Sequence, residues 1–261
     1  MKSLTLSEYL RTPQGQLQTE WTRAIFQKEL LHDQSSLALQ VDFAAIPTLE
    51  SSHAQKILLA RSQESIAPYP CAIEWVLGES EYLPFPEHTF SLVTLPYTLD
   101  FAKDPWLTLQ EATRVLAPEG TLCLTGFNPS GLWWLRQRLG KACHFPAYLP
   151  RNLAPQHWQK VQKWLRRLQL EIRHGHFGLY QPACKSNLHF QQWNWLNLAG
   201  DRWGPQYSNV YFLSAKKRFY TPLWTGKVEK SRSTIHVYTK NPSSLTLQQS
   251  HDNDTKIKNL D

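Results

Sequence analysis

The chain of 261 residues has only four cysteines, Cys71, Cys123, Cys143 and Cys184, and no two of them stand at the spacing of a metal or redox pair. They are too few and too scattered to staple a chain of this length, so isolated thiols are expected. Cys71 and Cys123 fall in apolar, strand-like runs, where a cysteine usually acts as a small buried hydrophobe. Of ten histidines, only His174 and His176 are close together, with no third ligand at a metal-like distance, so no metal site is expected. No apolar run approaches the roughly 20 residues of a membrane span, and the opening Met1-Lys2-Ser3-Leu4 soon meets Glu8 and Arg11 rather than an apolar signal core. The expectation is a soluble, cytoplasmic protein. Glycine is absent between Gly15 and Gly78, although a backbone turned closely against a ligand ordinarily needs one.

Hydrophobic residues make up 41% of the sequence and aromatic residues 12%, against 19% charged, which is enough apolar surface for a packed core. The net charge of +7 is unevenly spread. Residues 1–140 hold 10 Lys/Arg and 15 Asp/Glu, residues 141–220 hold 12 and 2, and residues 221–261 hold 6 and 4. Seven of the 11 tryptophans lie between Trp133 and Trp203, within or beside this basic segment. Cations mixed with indoles suit nucleic acid, an acidic partner or an anionic membrane surface. The preferred reading is plainer. Lys160, Lys163, Arg166 and Arg167 form the solvated face of a helix whose Trp158, Val161, Trp164, Leu165 and Leu168 make its core stripe.

Helical spacing of Leu6, Leu10, Trp21, Ile25, Phe26 and Leu30, with a break at Thr12-Pro13, makes residues 1–30 a helical N-terminal extension. Short apolar runs then follow at Leu37–Val41, Ile57–Ala60, Ala72–Leu77, Phe90–Leu95 and Thr121–Phe127. Polar or helix-capable stretches separate them, and an amphipathic helix opened by Asp104-Pro105 precedes the last. Alternating strand and helix predict an α/β fold, a doubly wound and mostly parallel sheet over residues 31–218, closed by strands near Leu170–His174 and Val210–Ser214. From residue 219 the chain is too polar to bury anything, and a mostly disordered tail is expected over 219–261. In such a sheet the ligand lies beyond the carboxyl ends of the strands.

The stretch from Gly78 to Gly126 resembles class I S-adenosylmethionine-dependent methyltransferases, type 11 group. The likeness runs through Gly78-Glu79-Ser80-Glu81-Tyr82-Leu83-Pro84-Phe85-Pro86, Phe90-Ser91-Leu92-Val93, Asp104-Pro105, Glu111–Gly120 and Leu122-Cys123-Leu124. Gly126-Phe127-Asn128-Pro129 and Tyr211–Arg218 are similar to a bacterial subgroup of uncharacterised methyltransferase-like proteins. The resemblance implies a Rossmann-like fold, S-adenosyl-L-methionine as cofactor and an unidentified methyl acceptor. It places the cofactor at Val41 and Asp42 after the first strand, Glu79 and Ser80 beside adenine, and Leu95, Pro96 and Tyr97 near the transferring methyl. No catalytic base is named. Tyr97, Asp100 and Asn128 are polar groups near the strand ends, with packing, helix capping and a turn as their plainer roles.

Two positions depart from the pattern. Asp42-Phe43-Ala44-Ala45-Ile46-Pro47 stands where the family carries an acid and a run of glycines, and Ala60-Arg61-Ser62 stands where it carries the acid for the ribose, with Glu64 the nearest substitute. The sequence therefore supports a methyltransferase of unknown acceptor first. A catalytically inactive methyltransferase-like binding or scaffold domain comes second, and a basic module for nucleic acid or a membrane surface third.

Overall fold

The computed structural model describes residues 4–31, 34–61, 69–142, 148–182 and 205–218. The expected tail, Cys143, Cys184, Ser62, Glu64 and the tryptophans at 193, 195 and 203 lie outside these residues. Helices α1 (Leu6–Leu10) and α2 (Pro13–Glu29) come first. Thr5 and Glu8 form a reciprocal cap on α1, while Thr12 caps α2 with Pro13 in its first turn. Gly15 lets the two helices fold against each other, since a Cβ there would collide with the Tyr9 carbonyl.

Five parallel strands follow: β1 (Leu37–Val41), β2 (Gln55–Ala60), β3 (Glu74–Leu77), β4 (Phe90–Pro96) and β5 (Leu116–Phe127). Between β4 and β5 lie α3 (Thr98–Phe101) and α4 (Pro105–Val115). Beyond β5 come α5 (Leu132–Ala142), α6 (Trp158–Arg167), β6 (Leu170–Gly178) and β7 (Val210–Lys217). The seven strands lie in the order β3-β2-β1-β4-β5-β7-β6, with β7 antiparallel to both β5 and β6. The doubly wound α/β sheet is thus present, with an antiparallel pair at one side.

Period-two alternation along the strands divides the core between the two faces. Leu39, Val41, Leu59, Val93, Leu95, Leu122 and Leu124 pack with α4 residues Leu109, Ala112 and Val115 and with α6 residues Val161 and Leu165. Ala38, Leu92, Cys123 and Phe212 face the other way, against Phe26 and Leu30 at the end of α2. Phe26 and Phe212 meet edge to face at 5.2 Å. The N-terminal extension therefore covers part of the sheet's second face.

The basic helix has the arrangement preferred from sequence. In α6, Val161 and Leu165 are buried, while Lys160, Lys163, Arg166 and Arg167 are exposed. One expectation is corrected. Cys71 is half-buried ahead of β3 rather than inside it, with the Lys56 ammonium 3.4 Å from its sulfur, because pairing with β2 starts only at Glu74. The connection from β1 to β2, residues 42–54, contains no helix, although parallel strands are usually joined through one.

The outer edges differ in length. β3 has four residues, and β6 has nine, with a register irregularity between Ile172 and His174 and with exposed Arg173, His174 and Gly175 at its middle.

Helix α4 provides a direct check on local stability. The Asp104 carboxylate accepts from the N–H groups of Trp106 and Leu107 at 3.0 and 3.1 Å, and Pro105 needs no partner for a missing N–H. Asp104→Ala should lower unfolding free energy by about 1 kcal/mol in urea titrations, and Asp104→Ser should restore most of it.

Candidate functional site

The strand order turns back at β1, which lies between β2 and β4, and in open α/β sheets the crevice beyond such a switch point takes the ligand. Asp42, Arg61, Ser80, Glu81 and Tyr97 stand at the carboxyl ends of the strands meeting there.

The path after β1 is set by Gln40, a fully buried polar residue inside an apolar strand. Its amide nitrogen donates to the carbonyls of Asp42, Phe43 and Ile46 at 3.1, 3.0 and 3.1 Å. Its amide oxygen accepts from the Thr48 N–H, the Thr48 hydroxyl and the Tyr69 hydroxyl at 3.1, 2.8 and 2.8 Å. Together these contacts hold Asp42 and Phe43 at φ values of 60° and 51°, a left-handed conformation that costs about 1 kcal/mol or more per non-glycine residue. Tyr97, after β4, is left-handed as well, at 56°.

Arg61 spans the next two strand ends. One guanidinium nitrogen lies 3.3 Å from the Asp42 carboxylate and 2.8 Å from the Ser80 hydroxyl, and the other donates to the Phe101 carbonyl at 3.5 Å. Ser80 in turn donates to Glu81 at 3.1 Å. Burial raises the Asp42 pKa to about 6 despite the opposing Arg61 charge. Burial also works against the Glu81 anion, but the Lys103 N–H, 2.7 Å away, and the Ser80 hydroxyl help hold its pKa below the usual value.

Beyond β4 the Tyr97 ring is buried against Phe127 at 5.0 Å, and its hydroxyl meets the Thr22 hydroxyl of α2 at 2.8 Å. Asp100, in α3, accepts from the N–H groups of Phe127 and Gln156 at 2.7 and 3.1 Å, and burial pushes its pKa up to about 8. Asp100 thus ties β5 to the connection before α6 rather than capping a helix. Asn128 accepts from the Ser130 N–H and donates to the Gln206 carbonyl, so it shapes a turn.

Val41, Asp42, Ser80, Leu95, Pro96 and Tyr97 converge on this region. The Thr98 hydroxyl joins β4 to β1 through the Val41 carbonyl at 2.8 Å, and Arg61 draws in Ser80. Glu79 does not join them, since its half-exposed side chain pairs with Lys103 at 3.4 Å. The residues missed from sequence are Gln40, Arg61 as a bridge, and Tyr9, Gln18 and Thr22 from the N-terminal helices. Gln40 had left a sign, as a polar residue inside an apolar strand. The helical residues had left none, because their contacts span long sequence separations.

The match to the methyltransferase domain family covers residues 36–124. The seven-strand order and the antiparallel last pair agree with it. The chain has the class I methyltransferase fold, and about a third of it matches the methyltransferase domain family. It is 29% identical over 119 residues to the uncharacterized protein YafS of Escherichia coli, covering 46% of this chain and 44% of that one. Over 59 residues, 23% of this chain and 21% of the other, it is 34% identical to a mitochondrial 2-methoxy-6-polyprenyl-1,4-benzoquinol methylase of Caenorhabditis elegans. The chain spans less than half the length of each relative. A protein solved in complex with the Haloferax volcanii Trm112 methyltransferase activator superposes with a TM-score of 0.53 at 12% identity, over 82% of this chain and 96% of that one, which shows the shared fold.

The family ordinarily binds S-adenosyl-L-methionine. Among the described residues the site does not fit it in the family's manner. Donors from Arg61 occupy the described end of β2, where the family carries an acid for the ribose, and the carboxylates of Asp42 and Glu81 lie beside them. Over β1 and β4, the side chains of Leu6, Tyr9, Phe43, Ile46, Tyr97 and Phe101 line a small, partly open hollow of about 10 Å³, room for one water.

Two outcomes follow. Gln40→Leu leaves buried carbonyls and the Thr48 N–H unpaired, and should cost about 3 kcal/mol in urea unfolding. Asp100 stays protonated in the fold up to about pH 8, whereas its unfolded form ionises near the ordinary carboxylate value of 3.8. The folded state binds the extra proton in between, so this contribution is complete below about pH 4 and is lost as pH rises through 8. Urea midpoints measured from pH 4 to 8 should show a decline in the native chain that Asp100→Asn flattens.

Proposed function

We propose that this chain, part of which matches the methyltransferase domain family, acts as a ligand-binding or scaffold domain and does not transfer methyl groups from S-adenosylmethionine. The observation that carries this reading is the Arg61 bridge between Asp42 and Ser80. A guanidinium satisfied from both sides holds the first three strand ends together and turns donors toward the place where a ribose would need acceptors. Phe43, Ile46 and Phe101 supply the complementary apolar filling above β1 and β4. The fold is compatible with either role, because function resides in the site.

One feature favours a second reading, an active methyltransferase of unknown acceptor. Left-handed Asp42, Phe43 and Tyr97 concentrate backbone strain at the switch point, and such strain gathers at functional sites. In that case the acceptor attacks the sulfonium methyl in line with its leaving sulfur, and positioning is the protein's main contribution. The quinol methylase match is too short to carry that relative's acceptor to this chain.

Calorimetric titration of the purified chain separates the two. With folding verified by circular dichroism, no heat of binding is expected for S-adenosylmethionine or S-adenosylhomocysteine up to millimolar concentration. Micromolar binding, weakened by Asp42→Ala or Tyr97→Ala, would overturn the scaffold reading in favour of the enzyme.

A further inference from the structure

Helix α5 presents two unlike sides. Trp133 is buried at 1% exposure, its indole N–H donating to the Gln181 carbonyl at 3.0 Å, and the Gln137 side chain accepts from the N–H groups of Tyr148 and Leu149 at 2.8 and 3.1 Å. This side anchors the helix to the body of the domain. The other side carries Leu132, Leu135 and Leu139, exposed by 42%, 50% and 56%. At 100° per residue these three lie within a single narrow stripe. Arg136 flanks it on one side, with its guanidinium 4.3 Å from the centre of the Tyr148 ring, and exposed Arg138 flanks it on the other.

Large aliphatic side chains on an outer helix face are ordinarily covered in water, and the charges around them say by what. Helix α5 contains no acidic residue, and the cations shown beside the stripe are its own Arg136 and Arg138. A second copy docked through the same stripe would set Arg136 and Arg138 against their counterparts with no acid on the helix to answer them. A surface that is apolar within and negatively charged without matches both features.

We propose that α5 docks this domain on an anionic lipid bilayer, with Leu132, Leu135 and Leu139 entering the acyl boundary and the flanking arginines meeting lipid phosphates. Binding rests on insertion and on charge together, so it weakens when either is removed. The reading is independent of whether the strand-end site takes S-adenosylmethionine.

Sedimentation of the full chain with phosphatidylcholine vesicles containing 30% phosphatidylglycerol is the test. Binding is expected to drop sharply on pure phosphatidylcholine and in 0.5 M salt. Leu135→Asp and Leu139→Asp should each reduce partitioning on the order of tenfold, while their exposure leaves the thermal midpoint nearly unchanged. Arg166→Ser with Arg167→Ser, on α6, serves as a control for charge alone and should have a smaller effect than either leucine change. Failure to bind the anionic vesicles, or binding insensitive to both leucine substitutions, would overturn the proposal. A dimer in light scattering that Leu135→Asp dissociates would overturn it too, and assign the stripe to a second copy.

Discussion

One buried amide governs the switch point of this sheet. Gln40 sits where an apolar strand would accept leucine at no cost, and its side chain instead serves three carbonyls and three donors of the segment that follows. Left unpaired in the interior, those groups would each cost about 1–3 kcal/mol, so the segment cannot readily leave the amide. The helix-free connection to β2 and the inward placing of Phe43 and Ile46 both follow from that tether. So does the docking of α1, since Leu6 and Tyr9 close over the same two side chains.

The five parallel strands were legible because they are near-continuous apolar runs, and α4 because Asp104-Pro105 is a strong local start signal, whereas the antiparallel direction of β6 and β7 was not. The region around Tyr97 could be located from the residues after β4, and Arg61 stood out as a basic residue in an acid's place. What Arg61 does was not legible. Its partners Asp42, Ser80 and Phe101 come from three separate segments, and only the parallel register of β1, β2, β3 and β4 brings them within reach. The left-handed pair at Asp42 and Phe43 was hidden for a different reason. Sequence patterns assign that conformation to glycine, and here a side chain two residues upstream enforces it on others. The role of α2 was equally hidden, since Thr22 meets Tyr97 across 75 residues.

The family resemblance and the site geometry therefore answer different questions. Residues that maintain the sheet, such as Leu39, Val93 and Leu122, are those that any member of this fold requires. The strand ends are free to differ, and here two carboxylates, Asp42 and Asp100, are enclosed where ionisation is costly. An enclosed acid stays because its hydrogen bonds fasten something. Asp42 fastens Arg61, and Asp100 fastens the end of β5 to the chain entering α6.

The lateral margins of the sheet have a consequence for the chain in concentrated solution. An unpaired strand offers a row of backbone donors and acceptors to any neighbour, and long, flat, apolar margins seed intermolecular β-pairing. β3 ends the sheet on one side after only four residues, too short a template to hold a foreign strand. β6 is longer, but the irregularity between Ile172 and His174 breaks its repeat and sets Arg173 and His174 at the break. His174 also reaches Glu29 of α2 at 2.6 Å, placing a side-chain bridge beside the open margin. The same residues that make this side basic thus act as gatekeepers against fibril-like association.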